Sequence, residues 1–168
     1  MKPSAVAGLL LTVVVLATML VTPTATAGTG STWSRIMVSR DGKTWSTDIV
    51  QPLISKHHPF VPGREQSRTF YVRNQSGQKA YLKVVVKVTD QGRMISSKHF
   101  ALSLLVDGVW HTMAGGRQRV AKLLTRSGDV VPLRIKARMR PNAGNKLMDR
   151  RLVMKVHLRL THSYKTGR

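Results

Sequence analysis

The chain has 168 residues, of which 28 are Lys or Arg and only 7 are Asp or Glu, giving a formal net charge of +21; it contains no cysteine. That length suits one domain rather than two, and the lack of cysteine excludes disulfides, thiol nucleophiles and Cys-based metal sites, so the core must hold by burial alone. A field so positive draws the protein to polyanions: nucleic acid, anionic head groups or phosphate-bearing cell-wall polymers.

In chain order, residues 1–27 read as a secretory leader. Met1-Lys2 gives a positive start, Ala5 to Val21 is an apolar run, and Ala25-Thr26-Ala27 has the small-x-small pattern of a cleavage site. The alternative is a leader retained as an anchor, although the run is near the lower limit for spanning a bilayer. Residues 28–168 form the expected mature domain, with no membrane span left after cleavage.

Asp41-Gly42 lies between "RIMVS" and "KTWST" and predicts a tight two-residue hairpin. Pro52 and Pro59 punctuate an irregular segment, and Pro62-Gly63 predicts a turn. Alternation then becomes clear. Phe70 and Val72 share one face, with Tyr71 and Arg73 on the other. After the polar turn Asn74–Gly77, the residues Ala80, Leu82, Val84, Val86 and Val88 face one way, while Lys79, Tyr81, Lys83, Val85 and Lys87 face the other. A short strand, a polar turn and a longer strand predict a hairpin with Phe70, Val72, Leu82, Val84 and Val86 in the core.

The same rule places Phe100, Leu102, Leu104 and Val106 inward, with Asp107-Gly108 as a second hairpin turn before Val109 and Trp110. It places Val131, Leu133, Ile135, Ala137 and Met139 inward, then allows a turn of helix in "NAGNKLMDR". Last, Leu152, Met154, Val156, Leu158 and Leu160 face inward. Spacings of two rather than three and four specify strands. The fold expected is all-β: an antiparallel Ig-like or jelly-roll β-sandwich of about seven to nine strands, preceded by a signal-peptide helix.

The outward positions carry the charge. Arg134, Lys136, Arg138 and Arg140 alternate with the core residues of one strand; Arg151, Lys155 and Arg159 do so in the last, with His157 among them, and Lys83 and Lys87 do so earlier. If the last two strands pair, their outer faces make one basic surface whose two-residue spacing of about 6.6–7 Å suits an extended anionic polymer. The bland counterpart is that such cations keep sheets from sticking edge to edge. Single-stranded nucleic acid would call for interleaved aromatics, and Tyr71 and Tyr81 are the outward candidates; no helix suits a major groove.

No catalytic constellation emerges. H-E-x-x-H is absent and Glu65 is the only glutamate. His157 and His162 are an odd number apart and fall on opposite faces of a regular strand, while His57-His58 reads as a solvent-exposed loop pair. The aspartates Asp41, Asp48, Asp90, Asp107, Asp129 and Asp149 mostly occupy expected turns, which accounts for them without a triad. Asn74-Gln75-Ser76 fits a glycosylation sequon but reads more simply as turn chemistry. The expectation is a non-enzymatic protein with no catalytic residues, cofactor or metal.

Taken together, Trp33 and Trp45 flanking Asp41-Gly42, Pro62-Gly63, and the F-x-V-R-N-x-S of Phe70, Val72, Arg73, Asn74 and Ser76 resemble a group of small secreted actinobacterial proteins of unknown role. These are in turn similar to the camelysin and TasA group of exported matrix proteins. The resemblance covers roughly Trp33 to Val88. It implies an Ig-like sandwich with an extracellular structural role, including fibres in which Ser34, Ile36 and Val38 form the buried face of a strand donated to the next subunit; the alternative is that this segment pairs within its own domain. The protease activity associated with camelysin is not carried over, because its motif is missing, and the basicity departs from the group. Two functions follow as expectations: a secreted, non-catalytic cell-envelope protein with a structural or adhesive role, forming homo-oligomers; or a module that binds an anionic wall polymer or nucleic acid through a basic sheet face. With no sorting motif or apolar tail after "THSYKTGR", retention at a cell wall would be non-covalent.

Overall fold

A computed structural model describes residues 35–49, 53–54, 60–147, 150 and 152–162. The expected leader, Trp33, Ser34, His57, His58, Asp149 and Arg151 lie outside the described residues. The protein is a β-sandwich of eight strands: β1 (Ile36–Ser39), β2 (Glu65–Asn74), β3 (Ala80–Thr89), β4 (Phe100–Val106), β5 (Val109–Thr112), β6 (Gly116–Thr125), β7 (Val130–Met139) and β8 (Val153–His162), with a 3-10 turn at Pro141–Leu147. One sheet has the order β1-β2-β7-β4-β5 and the other β6-β3-β8, all neighbours antiparallel.

The period-two pattern decides which side of each strand is dry. Phe70, Val72, Leu104, Leu133 and Ile135 from the first sheet meet Leu82, Val84, Val86, Met154 and Val156 from the second in one continuous core. Each such side chain contributes roughly 1.5–3 kcal/mol by leaving water. Phe60 and Phe100 close one part of it edge to face, with ring centroids 5.2 Å apart. The expected inward residues are buried, except that Val131 and Leu160 are half-exposed.

Alternation leaves open which strand lies beside which, and two expected pairings do not occur. β2 and β3 do not form a hairpin: the chain leaves one sheet at Asn74 and enters the other at Ala80. The five intervening residues turn across the sandwich, with Gly77 at φ 75° and the Asn74 carboxamide oxygen accepting from Ser76 N at 2.9 Å. Phe70 and Leu82 thus belong to opposing sheets rather than to neighbouring strands. β7 and β8 do not pair either. β7 is flanked by β2 and β4, β8 has β3 as its neighbour, and the 3-10 turn carries the chain between sheets.

The Asp41-Gly42 turn is also wider than a two-residue hairpin. Val38 and Ser46 exchange backbone hydrogen bonds of 2.8 and 2.9 Å, and the residues between them loop around the Asp41 carboxylate. Lys43 N and Thr44 N each donate to its Oδ1 at 2.8 Å, as does Ser39 Oγ. Those bonds favour the charged form and push Asp41 far below the usual carboxylate range. Asp107-Gly108, by contrast, makes the expected tight hairpin between β4 and β5, with φ 50° and 77° at its two corners. Pro132 is tolerated within β7 because β4 pairing ends at Leu133, so the missing N–H interrupts no ladder there.

Candidate polyanion-binding face

The site is the outer face of the β6-β3-β8 sheet. In β3 the outward residues are Tyr81, Lys83, Val85 and Lys87, because Leu82, Val84 and Val86 point into the core. The ladder register fixes their neighbours. Lys83 stands between Lys122 of β6 and Arg159 of β8; Val85 between Arg119 and His157; Lys87 between Arg117 and Lys155. Val85 is therefore the centre of a three-by-three array in which all eight surrounding positions are basic. With strands about 4.8 Å apart and alternate residues about 6.7 Å apart, the array of Cα positions spans about 10 Å by about 13 Å.

A β-bulge makes the array possible. Arg119 and Lys122 are three residues apart, so a regular strand would send them to opposite faces. The register between β3 and β6 shifts at Val84/Val85: Val84 faces Ala121 and Val85 faces Arg119, leaving Val120 without a partner. The extra residue reverses the parity, and Arg117, Arg119 and Lys122 all emerge on the outside.

No carboxylate answers these charges from the same sheet: β3, β6 and β8 contain no Asp or Glu. Lys87, Arg117, Arg119, Lys122 and Arg159 are exposed, and Lys83, Lys155 and His157 are half-buried. Two unit charges about 5 Å apart repel by roughly 1 kcal/mol at the dielectric of water, and by more where low-dielectric protein lies beneath them. His157 registers this field. Burial, then the charges of Arg117, Lys155 and Lys87, hold its pKa below the ordinary value. Lys122 Nζ sits 4.1 Å from the centre of the Tyr81 ring, so the one aromatic ring beside the array among the described residues already has a cation over it.

The other basic residues read from the sequence lie elsewhere. Arg134, Lys136 and Arg138 project from β7 on the outer face of the opposite sheet, and Arg140 follows the end of that strand. The expectation of one surface shared by β7 and β8 is thus corrected: the sandwich has two basic faces, back to back. The β7 residues also have local company. Arg134 Nε donates to Thr69 Oγ1 at 3.2 Å, Lys136 Nζ stands 4.2 Å over the Trp110 ring, and Arg138 is opposite Glu65 in the ladder. Of the expected polymer-binding residues, Lys83, Lys87, Lys155 and Arg159 come together. Arg117, Arg119 and Lys122 were missed, because "GRQRVAKLLT" breaks alternation at the bulge and so reads as no strand at all.

Ile36 and Val38, the described part of the expected donor strand, are buried and pair with Asn74 and Val72 of their own chain. The sequon residue Asn74 is buried too, and its Nδ2 donates to Gln78 O, Thr125 O and Thr125 Oγ1. Among the described residues no three His, Asp or Glu side chains gather as a metal site, and no helix is long and apolar enough to cross a membrane. His157 and His162 occupy positions of opposite parity on β8. A cleft of about 520 Å³ opens at one end of the sandwich between Leu105, Leu124 and Pro132, with Asp107 and Asp129 on its lining. Asp129 there accepts from Arg126 N at 2.7 Å, a turn contact.

The chain matches no known protein family, and no curated protein shows significant similarity to it.

Proposed function

We propose that the protein is a non-catalytic module, secreted and cell-wall associated, that holds an anionic phosphate polymer on the outer face of the β6-β3-β8 sheet. The observation that carries this reading is the ring of eight basic side chains around Val85 on strands without a single carboxylate. Like charges packed this closely disfavour folding unless counter-ions gather on them, and a polyanion releases those counter-ions when it binds. A wall-type polymer is favoured over nucleic acid because, among the described residues, the face offers no free stacking platform: its one ring, Tyr81, lies under Lys122.

A structural role through strand donation is the second reading, and it rests on the shortness of β1, a four-residue edge strand. It requires Ile36 and Val38 to leave their pairing with β2, whereas polymer binding needs no rearrangement.

The test is anisotropy with labelled poly(glycerol phosphate) and with an oligothymidylate of equal charge, across a range of salt. Lys83→Glu/Lys87→Glu is expected to abolish binding at low salt, and Arg134→Glu/Arg138→Glu to leave most of it. Equal loss from the two double variants would mean that net charge, not this face, holds the polymer. A clear preference for oligothymidylate would make nucleic acid the ligand. Self-association that persists at high salt without polymer would favour the structural reading.

A further inference from the structure

We infer that polymer binding at this face is coupled to protonation of His157, so that the site takes up a proton as the anion docks and holds it more tightly as pH falls. The inference rests on the proposed polymer-binding role and adds a regulatory property to it.

His157 is the one member of the ring whose charge changes near neutral pH. It occupies the β8 position of the middle row, across Val85 from Arg119. Among the described residues, every charged group around it is a cation. Lys155 and Arg159 flank it on its own strand, Lys83 and Lys87 lie diagonally on β3, and Arg117, Arg119 and Lys122 line β6 beyond. Tyr81 is the remaining titratable group on the β3 face, and β1, the element of the other sheet nearest β8, has no charged residue within Ile36–Ser39. His157 is therefore neutral in the free protein where an ordinary histidine would begin to charge, held so by burial and by Arg117, Lys155 and Lys87.

A phosphodiester chain laid over the array reverses the sign of that field. Each anionic group it brings favours imidazolium over imidazole, and the protonated ring becomes an eighth cation in the ring. The sign follows from linkage. Well above the bound-state pKa, neither state carries the proton and affinity is flat. As pH falls through that pKa the complex gains a proton that the free protein lacks, and affinity rises until the free-state pKa is passed. Phosphodiesters themselves carry no titrating proton in this range, so the effect belongs to the protein. A histidine pKa raised by one unit on binding corresponds to about a tenfold gain in affinity.

The decisive experiment is an NMR titration of the His157 imidazole in the intact protein, with and without poly(glycerol phosphate), paired with calorimetry in buffers of different ionisation enthalpy. The free ring is expected to titrate below about 6.5 and to move upward with polymer bound. Between about pH 8 and about pH 5.5, affinity is expected to rise roughly three- to tenfold with net proton uptake. His157→Gln is expected to lose the pH dependence, its affinity staying flat between about pH 8 and about pH 5.5. A parent that binds with flat affinity and no proton uptake would overturn the coupling while leaving the polymer reading intact, as would a variant that keeps the full pH dependence. No binding by either protein at low salt at any pH would overturn both.

Discussion

Asn74 and Thr125 tie the two sheets together at one end of the sandwich. The Asn74 Nδ2 group donates to both Thr125 Oγ1 and the Thr125 carbonyl at 3.3 Å, and Thr125 Oγ1 donates in turn to the Ala80 carbonyl at 3.0 Å. Asn74 ends β2 in one sheet, whereas Thr125 and Ala80 belong to β6 and β3 in the other. Both side chains are buried, so each bond is shielded from competing water.

Asn74→Ala should therefore cost about 1–3 kcal/mol, since it strips the donor from a buried pair and leaves the carbonyls of Thr125 and Gln78 short of a partner. Urea denaturation of the variant should show a lower midpoint with an unchanged slope. Phe70→Ala, a cavity at the centre of the same core, should cost more, about 3–5 kcal/mol.

Salt should stabilise this protein. Raising ionic strength from roughly 0.01 M to roughly 1 M shrinks the Debye length from about 30 Å to about 3 Å, well below the width of the basic array. Repulsion around Val85 is then screened and the melting temperature should climb, and the climb should be smaller in Lys83→Glu/Lys87→Glu. Melting curves that ignore salt would show that the ring stores no repulsion.

Removing Val120 should leave the array standing. Without the extra residue Arg119 and Lys122 are two apart, so Arg117, Arg119 and Lys122 share one face of a regular strand. The deletion and Val120→Ala should therefore both retain polymer affinity; a folded deletion variant that no longer binds would show that the bend of the bulge, and not the shared face alone, sets the site. Anisotropy read beside thermal melts checks this.

His157 also predicts how stability responds to acid. Its pKa is depressed in the fold, so the unfolded chain binds the proton first. The contribution of the neutral ring is fully present above the ordinary histidine pKa of about 6.5 and is lost as pH falls through the folded value. The free protein should lose more stability between about pH 7.5 and about pH 5 than His157→Gln does, as read from urea midpoints.

Gly92 tests the packing of the β3–β4 connection. A Cβ at this position would lie 2.6 Å from Arg150 Cβ and 3.2 Å from Arg150 Cα. Gly92→Ala should therefore push that segment away, at about 1–3 kcal/mol, while polymer affinity should stay unchanged because both residues lie beyond the strand positions that carry the array.

How much of this could be read from residues alone follows from what alternation encodes. It assigned the buried side of β2, β3, β4, β7 and β8 because solvent and core act on each strand separately. It could not say that Phe70 and Leu82 enter the core from opposing sheets, because a five-residue polar turn serves a hairpin and a sheet-to-sheet crossing equally well. The site was half legible for the same reason. Lys83, Lys87, Lys155 and Arg159 lie on regular strands, but the partnership of β3 with β6 and β8 is a property of topology, and Arg119 and Lys122 share a face only through an irregularity that disrupts the pattern a reader would look for.

Among the described residues the basic sheet ends on both sides in edge strands, β6 and β8. No other described strand of the sheet closes either side of the array, so on the proposed reading a filament crossing the strands runs off both margins. Such a surface counts segments and ignores termini. Loading would then scale with filament length, many copies would seat along one filament like beads on a string, and trimming the filament's ends would release only the copies lost with the trimmed length.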